Sequence, residues 1–495
     1  MDKAFINPLI ELAEYEELNR DLNRGKGPVQ VCGCVDSQKV HLMCEAGETL
    51  SWKLVVTYDD SRAKEMYEDF RCFTDQVWLY PAKDLLFYNA DIHGNLMTRQ
   101  RMQVIRHLIE DSGGVVVTTI DGLMDHLPPL SMLKSQIIQV KQGEAINIEE
   151  WKKKLVALGY ERMAQVDGMG QFSIRGGIID IFPLTEELPI RIELWDDEVD
   201  SIRSFDLESQ RSVEQLSQAI LYPATEMVFT SSQIQDGTQR LEKAAAVYEK
   251  TLREQRKTEE AHRISTIIKE LKENLQAGIG AARLDSYLAF FCDEAVSFQQ
   301  YFPEKSTAVF LEEPARLKEK GETVELEFRE SMIHRLEKGY LLPEQTSLLY
   351  STKETLSWLQ TPYTVLLNGL GQKGYCLQTR NVNSYQSSFE ILIKDLQRWK
   401  KEKYRVILLS GSYTRASRLA GDLREYGLSA FYTVDKERQV QPGEILVTYG
   451  NLHRGFEYPQ IKYVVITEGD MFGVKRQKRK RKKTSYEGKK IQSFS

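Results

Sequence analysis

Between residues 170 and 212 apolar and polar side chains alternate with period two, the spacing of strands with one face buried. In 190–195 the residues Ile190, Ile192 and Leu194 fall on one side, and Arg191, Glu193 and Trp195 on the other. The run before it predicts the same split, with Phe172 and Ile174 inward and Ser173 and Arg175 outward. Gly176-Gly177 stands where a tight turn or bulge uses positive backbone dihedrals. The pattern predicts a small antiparallel sheet that displays two arginines and a tryptophan on its polar face. Arg and Trp are enriched where protein partners bind tightly, so this face is expected to dock a protein.

Around this sheet the pattern changes. Residues 1 to about 136 alternate helical periodicity with apolar runs at 28–32, 54–57, 77–80 and 114–118, which predicts a parallel α/β sheet closing near Pro128-Pro129. Residues 137–220 are strand-rich. Residues 221–355 open on a long charged helical stretch (233–276), continue through a strand at 307–311 and return to helix over 316–340. From 356 to 472 the α/β pattern resumes, with strands at 406–410, 445–449 and 463–467 and a helix at 414–426. The stretch 473–495 is rich in Lys, Ser and Gln and reads as an unstructured basic linker.

Composition sharpens this picture in two places. The net charge of −6 conceals a run from Lys475 to Lys483 (KRQKRKRKK) with eight basic residues, which leaves −14 on the remainder. The body is therefore acidic, which argues against a broad nucleic-acid-binding face. The run has no interleaved aromatics, so a solvated linker is the plainer reading and weak DNA contact the sharper one. The six cysteines are scattered, as expected of reduced thiols in a cytoplasm, and Cys32-x-Cys34 lacks the second pair of a zinc site. No apolar run approaches the ~20 residues that span a bilayer, so no membrane association is expected.

The chemistry is vestigial where it should be strongest. Gly33-Cys34-Val35-Asp36-Ser37-Gln38-Lys39-Val40 follows an apolar strand, as a phosphate loop does. Only Gly33 and Lys39 match: Gln38 replaces the second glycine and Val40 the hydroxyl that would hold Mg²⁺. Asp36 adds a carboxylate beside the phosphate position. Leu311-Glu312-Glu313-Pro314 is a poor Walker B. The expectation is no ATP hydrolysis, no catalytic residue, no metal and no cofactor. Asp196-Asp197-Glu198 reads as a turn, Ser412 as a helix cap, and 356–472 shows no site chemistry.

GQFSIRGGIIDIFP, RIELWDDEVDSIRSFD and SQRS resemble the second domain shared by UvrB and the bacterial transcription-repair coupling factors (Mfd). The broken phosphate loop, the short connection 90–100 and ITEGDMFG at 466–473 favour the coupling factors, and the resemblance covers essentially all of the chain. It implies an α/β multidomain fold: a degenerate helicase-like (P-loop NTPase-type) domain over 1–136, an inserted α+β UvrA-interaction domain over 137–220, the remainder of the UvrB-like module over 221–355, and a small α/β domain over 356–472. It implies a cytoplasmic N-terminal fragment that recruits UvrA in transcription-coupled nucleotide excision repair. ATP, Mg²⁺, DNA and RNA polymerase would be handled by domains beyond this chain, and without a covering C-terminal domain UvrA binding would be constitutive. The matching UvrA-binding positions are Arg175, Arg191 and Trp195, with Arg162 a fourth candidate. Trp195 stands where relatives often carry Phe. The plain alternatives are a cross-strand Arg191–Glu193 surface pair worth a few tenths of a kcal/mol and a Trp195 folded over its own sheet edge. At the level of function, the alternative is a UvrB-like ATPase that opens damaged DNA.

Overall fold

The computed structural model describes residues 7–83, 95–276, 281–369, 374–386, 388–433, 435 and 438–473. Residues 90–94 of the connection 90–100 and the basic run after Gly473 lie outside these residues. The chain divides into two compact units, Met1–Arg380 with Lys436–Arg438, and Asn381–Asp435 with Gln439–Ser495.

The first unit is built on a seven-stranded parallel sheet in the order Tyr375–Cys376, Val29–Cys32, Thr364–Asn368, Thr307–Glu312, Trp52–Thr57, Gly114–Thr119, Val77–Tyr80. The central strands TAVFLE and WKLVVT are buried at every position, as expected when helices cover both faces of a parallel sheet. The four strands expected in 1–136 are present, and Thr307–Glu312 joins them at the sheet's centre. Two more come from a region that the sequence assigned to the small C-terminal domain. Thr364–Asn368 and Tyr375–Cys376 pair with Val29–Cys32, so the boundary expected at 356 falls at 380 instead. The reason is that 364–368 is a short apolar run inserted between Thr307–Glu312 and the distant Val29–Cys32, a pairing that periodicity cannot reveal. The same pairing corrects the expectation of six reduced thiols. Cys32 and Cys376 are register partners with Cα atoms 4.6 Å apart, and they form a disulfide.

After Gly114–Thr119 the chain leaves this sheet. It passes out along Ile138–Lys141 and returns along Gln218–Leu221, the two strands forming an antiparallel ladder from Ile138↔Leu221 to Lys141↔Gln218. Between them lies a six-stranded sheet in chain order: Glu161–Arg162, Gln171–Arg175, Ile178–Phe182, Ile190–Trp195, Glu198–Phe205 and Ser212–Leu216. Phe172, Ile179, Ile181, Ile190, Ile192, Val199 and Ile202 form its apolar face and join one continuous core with Trp151 and Leu155 of the helix Ile148–Ala157 and Leu158 at its end. The charged stretch 233–276 is two helices, Ser231–Glu254 and Thr258–Gln276, separated at Arg256 by a left-handed residue with φ +61°.

Where this segment rejoins the α/β sheet, a buried polar group holds the two together. Arg101 on the helix Asn95–Glu110 donates from Nε to Glu226 Oε1 (2.8 Å) and from Nη1 to the Pro81 carbonyl (2.8 Å), and its guanidinium lies 4.1 Å from the Tyr80 ring centre. Burial would raise the Glu226 carboxyl, but Arg101 and Lys83 outweigh it and bring the pKa to about 2. Asp125, reached by Arg101 only at 3.4 Å, is pushed by burial up to about 7.

The second unit is a smaller α/β sheet in the order Arg380–Asn381, Phe456–Tyr458, Tyr463–Ile466, Arg405–Ser410, Ile445–Tyr449, Ala430–Tyr432. Its four strands from Tyr463–Ile466 to the edge strand Ala430–Tyr432 are parallel. Leu392, Leu396 and Trp399 of the helix Phe389–Lys401, and Ala416, Ala420 and Leu423 of Tyr413–Glu425, pack on Val406, Leu408, Val447 and Ile466. Among the described residues no helix is long and apolar enough to cross a membrane.

Candidate docking face

The period-two pattern of the six-stranded sheet gathers its charged side chains on one face. Asp180, a single carboxylate inside the apolar strand IIDIF, stands opposite Arg191 on one neighbouring strand and Ser173 on the other. It is 1% exposed. Its Oδ1 accepts from Arg191 Nε at 2.6 Å, and its Oδ2 accepts from Arg191 Nη2 at 2.9 Å and Arg175 Nη2 at 2.8 Å. Both arginines therefore turn the same way, around one buried anion. Buried charges are tolerated when paired and hydrogen-bonded, and this one is satisfied at both oxygens.

Arg191 is fixed on every side. Beyond Asp180 it donates to Gln210 Oε1 at 2.9 Å, and its guanidinium lies 4.4 Å from the Phe205 ring centre. Its hydrogen bonds to Asp180 outweigh its desolvation and raise its pKa. Gln210 reaches it from a loop residue in the left-handed region (φ +57°), steadied by its own bond to the Leu207 carbonyl. Arg175 is looser: one bond to Asp180 holds it and nearly half its side chain stays exposed. Trp195 ends its strand and pairs with Glu198 across the two-residue turn at Asp196-Asp197, where Asp196 takes φ +58°. It is 81% exposed, the most exposed large apolar side chain among the described residues.

These positions decide the alternatives left open by the sequence. Trp195 does not fold over its sheet edge. Arg191 does not pair with Glu193, which instead accepts from Ser201 Oγ (2.9 Å) and from Arg203. The expectation for Ser173 needs correction: it shares the polar face but is 1% exposed, a short side chain in the row of a buried carboxylate. Of Gly176-Gly177 only Gly176 has a positive φ (+60°); Gly177 is needed for space, since a Cβ there would press on the Leu194 carbonyl. Arg162 stands apart. It is exposed on the first strand, at one edge of the sheet, and its register partner is Phe172, in the row that faces the core. The alternation signalled Arg175, Arg191 and Trp195 but not the residues that organise them. Asp180 left a trace, one acid in an apolar run. Gln210 left none, because a loop backbone sets its reach.

The phosphate-loop segment has its own occupants. Lys39, on the helix Asp36–Glu45, places Nζ 3.0 Å from Glu312 Oε1 and 2.9 Å from Glu313 Oε1. Glu312 also accepts from Arg62 Nη2 at 2.9 Å and Thr57 Oγ1 at 2.7 Å. Burial opposes charge on Lys39, yet the two glutamates raise its pKa; burial also opposes charge on Glu312, yet Arg62 and Lys39 lower its pKa. Gln38 closes the helix start by accepting from the Val35 N–H at 3.2 Å. At Gly33 (φ +79°) a Cβ would collide with the Leu377 carbonyl, so the segment after Tyr375–Cys376 lies directly on the loop. Ser412 caps its helix by accepting from the Arg415 N–H, as expected.

Residues 138–227 match the UvrB interaction domain, so the ladder and the polar sheet face both lie within it. Across 98% of its length the chain is 30% identical to a transcription-repair-coupling factor of Bacillus subtilis. It is 28% identical to those of Staphylococcus epidermidis over all of its length and Staphylococcus aureus over 98%. In each case it spans 42% of the relative's length. The chain is thus similar to the N-terminal part of transcription-repair-coupling factors along nearly all of its length, and residues 138–227 match the UvrB interaction domain.

Proposed function

We propose that the polar face of the six-stranded sheet binds UvrA, and that the chain serves transcription-coupled nucleotide excision repair by recruiting it. One observation carries this reading: within a UvrB interaction domain, Asp180 holds Arg175 and Arg191 on the same side of a sheet that also presents an exposed Trp195. Rigid aromatic and arginine anchors are what tight protein interfaces use. On this reading Arg191 is mainly a buttress, Arg175 and Trp195 are the groups offered to the partner, and Arg162 contributes at the rim. The Lys39–Glu312–Arg62 cluster supports a role without nucleotide chemistry, because the lysine that would meet a phosphate is already neutralised by two carboxylates. DNA translocation powered by ATP and action on stalled RNA polymerase are, in this proposal, properties of the whole coupling factor.

The test is a titration of immobilised UvrA with the chain. Saturable binding that Arg175→Glu reduces at least tenfold, with the unfolding transition unchanged, is expected. No binding by the unmutated chain would overturn the proposal.

A further inference from the structure

The parallel sheet of the first unit ends, on one side, in a very short strand. Tyr375–Cys376 is its edge and pairs with Val29–Cys32 through Val31↔Tyr375 and Cys32↔Cys376. Side chains of register partners on neighbouring strands lie on the same face of a sheet, so the two cysteines meet across the ladder and close their disulfide. Around this bond the Leu377 N–H donates to the Cys32 carbonyl at 2.9 Å, Thr379 Oγ1 donates to the Gly33 carbonyl, and the Tyr375 hydroxyl donates to Asp21 Oδ2 at 2.8 Å. So short an edge strand belongs to the parts of a fold that open most readily, and the disulfide is its one covalent hold.

The strand is also a junction. The segment after it lies on Gly33, at the start of the loop that resembles a phosphate loop, and then enters the second unit at Asn381. The strand before it, Thr364–Asn368, is held on both sides, by Val29–Cys32 and Thr307–Glu312. The disulfide therefore decides where the first unit lets go of the chain: after Arg380 when closed, and near Asn368 once the edge has left. Released, residues 374–380 lengthen that connection by up to about 25 Å.

The two sulfurs differ in access. Cys32 is 1% exposed, whereas Cys376 is half-buried at the sheet edge. Exchange with a small thiol or disulfide needs only one reachable sulfur. Cys34, the nearest thiol in sequence to Cys32, is buried, and burial outweighs the charge of Lys39 and pushes its pKa up to about 12. It stays protonated and does not compete for the bond, since the thiolate is the attacking form.

We propose that Cys32 and Cys376 form a thiol–disulfide latch that fixes residues 374–380 to the sheet when oxidised and frees them when reduced. Closing the latch converts two thiols into one disulfide; two electrons and two protons pass to a small-molecule disulfide such as oxidised glutathione, which leaves as two thiols. The exchange runs through a mixed disulfide at Cys376, which Cys32 then displaces, and opening is the reverse.

The test equilibrates the full chain with reduced and oxidised glutathione at a series of ratios. Free thiols are trapped by alkylation and located by mass spectrometry, and amide hydrogen exchange is followed over 374–380. Cys32 and Cys376 should pass between blocked and free together as the ratio changes. Exchange over 374–380 should quicken roughly tenfold or more in the reduced chain, while that of Thr307–Glu312 stays the same. Cys376→Ser, at the sheet edge, should show the fast exchange at every ratio. A pair that remains thiol at every ratio, a bond that survives excess dithiothreitol without denaturant, or equal exchange over 374–380 in both states would overturn the proposal.

Discussion

Trp195→Ala separates docking from folding more cleanly than any other substitution on the polar face. A tryptophan side chain offers up to about 250 Å², and at 81% exposed roughly 200 Å² of this one is left to a partner. Complete covering at about 25 cal/mol per Å² would give about 5 kcal/mol. Alanine retains part of that area, and ordering the indole on binding takes back part of the gain, so a loss of about 2–3 kcal/mol is expected, typical of an anchor residue. That corresponds to a roughly 30- to 150-fold weaker affinity. The free chain should barely notice, because an exposed side chain adds little to folding; a change within about 0.5 kcal/mol is expected. The assay pairs a titration against UvrA on a biosensor with urea unfolding of the same preparation. An affinity within twofold of the unmutated chain, with the fold intact, would refute the assignment of Trp195 as an anchor.

Three further outcomes follow from the buried charges. Asp180→Asn keeps the shape but removes the anion shared by Arg175 and Arg191, so stability should fall by about 1–3 kcal/mol and UvrA binding should weaken with it; an unchanged urea midpoint would contradict the geometry. Lys39→Ala leaves the buried Glu312 with Arg62 and Thr57 alone, and should lower stability by about 1–3 kcal/mol while UvrA affinity holds; ATP binding that this variant abolishes would instead restore the UvrB-like reading. Asp125 has a folded pKa of about 7 against 3.8 for the free side chain, so the folded state holds the extra proton. Its contribution to stability is full below about pH 4 and is lost as pH rises through about 7. The stability of the unmutated chain relative to Asp125→Asn should therefore decline between pH 4 and pH 8, and a flat difference would exclude the shift.

The parts of the fold that obey local rules were legible. Period two gave the polar and apolar faces of Ile190–Trp195, because strand geometry converts alternation directly into direction. Acids after a strand gave the turn at Asp196-Asp197. What escaped was set by distant partners. Nothing near Thr364–Asn368 tells that it pairs with Val29–Cys32, and nothing near Cys376 tells that Cys32 is its neighbour. Ser173 was misplaced for a related reason: alternation assigns a side chain to a face, but whether that face is wet at that point depends on the neighbouring strands. The segment from Gly33 to Val40 was legible as a departure from the phosphate-loop pattern. That Glu312 and Glu313 meet Lys39 required the sheet order.

A buried carboxylate at the centre of a sheet is an inefficient source of stability, since removing charges from water consumes most of what their attraction returns. The arrangement at Asp180 makes better sense as positioning. Free arginine side chains lose rotamer freedom when a partner grips them, and that loss is subtracted from affinity. Here it has been met during folding: Arg191 is pinned by Asp180, Gln210 and Phe205, and Arg175 is restrained by the same carboxylate. The base of the segment is equally firm, with the two-stranded ladder closing it and Arg101 binding Glu226 to the α/β sheet. A partner gripping the polar face therefore meets side chains already in place, on a segment that cannot swing freely from the body that carries it.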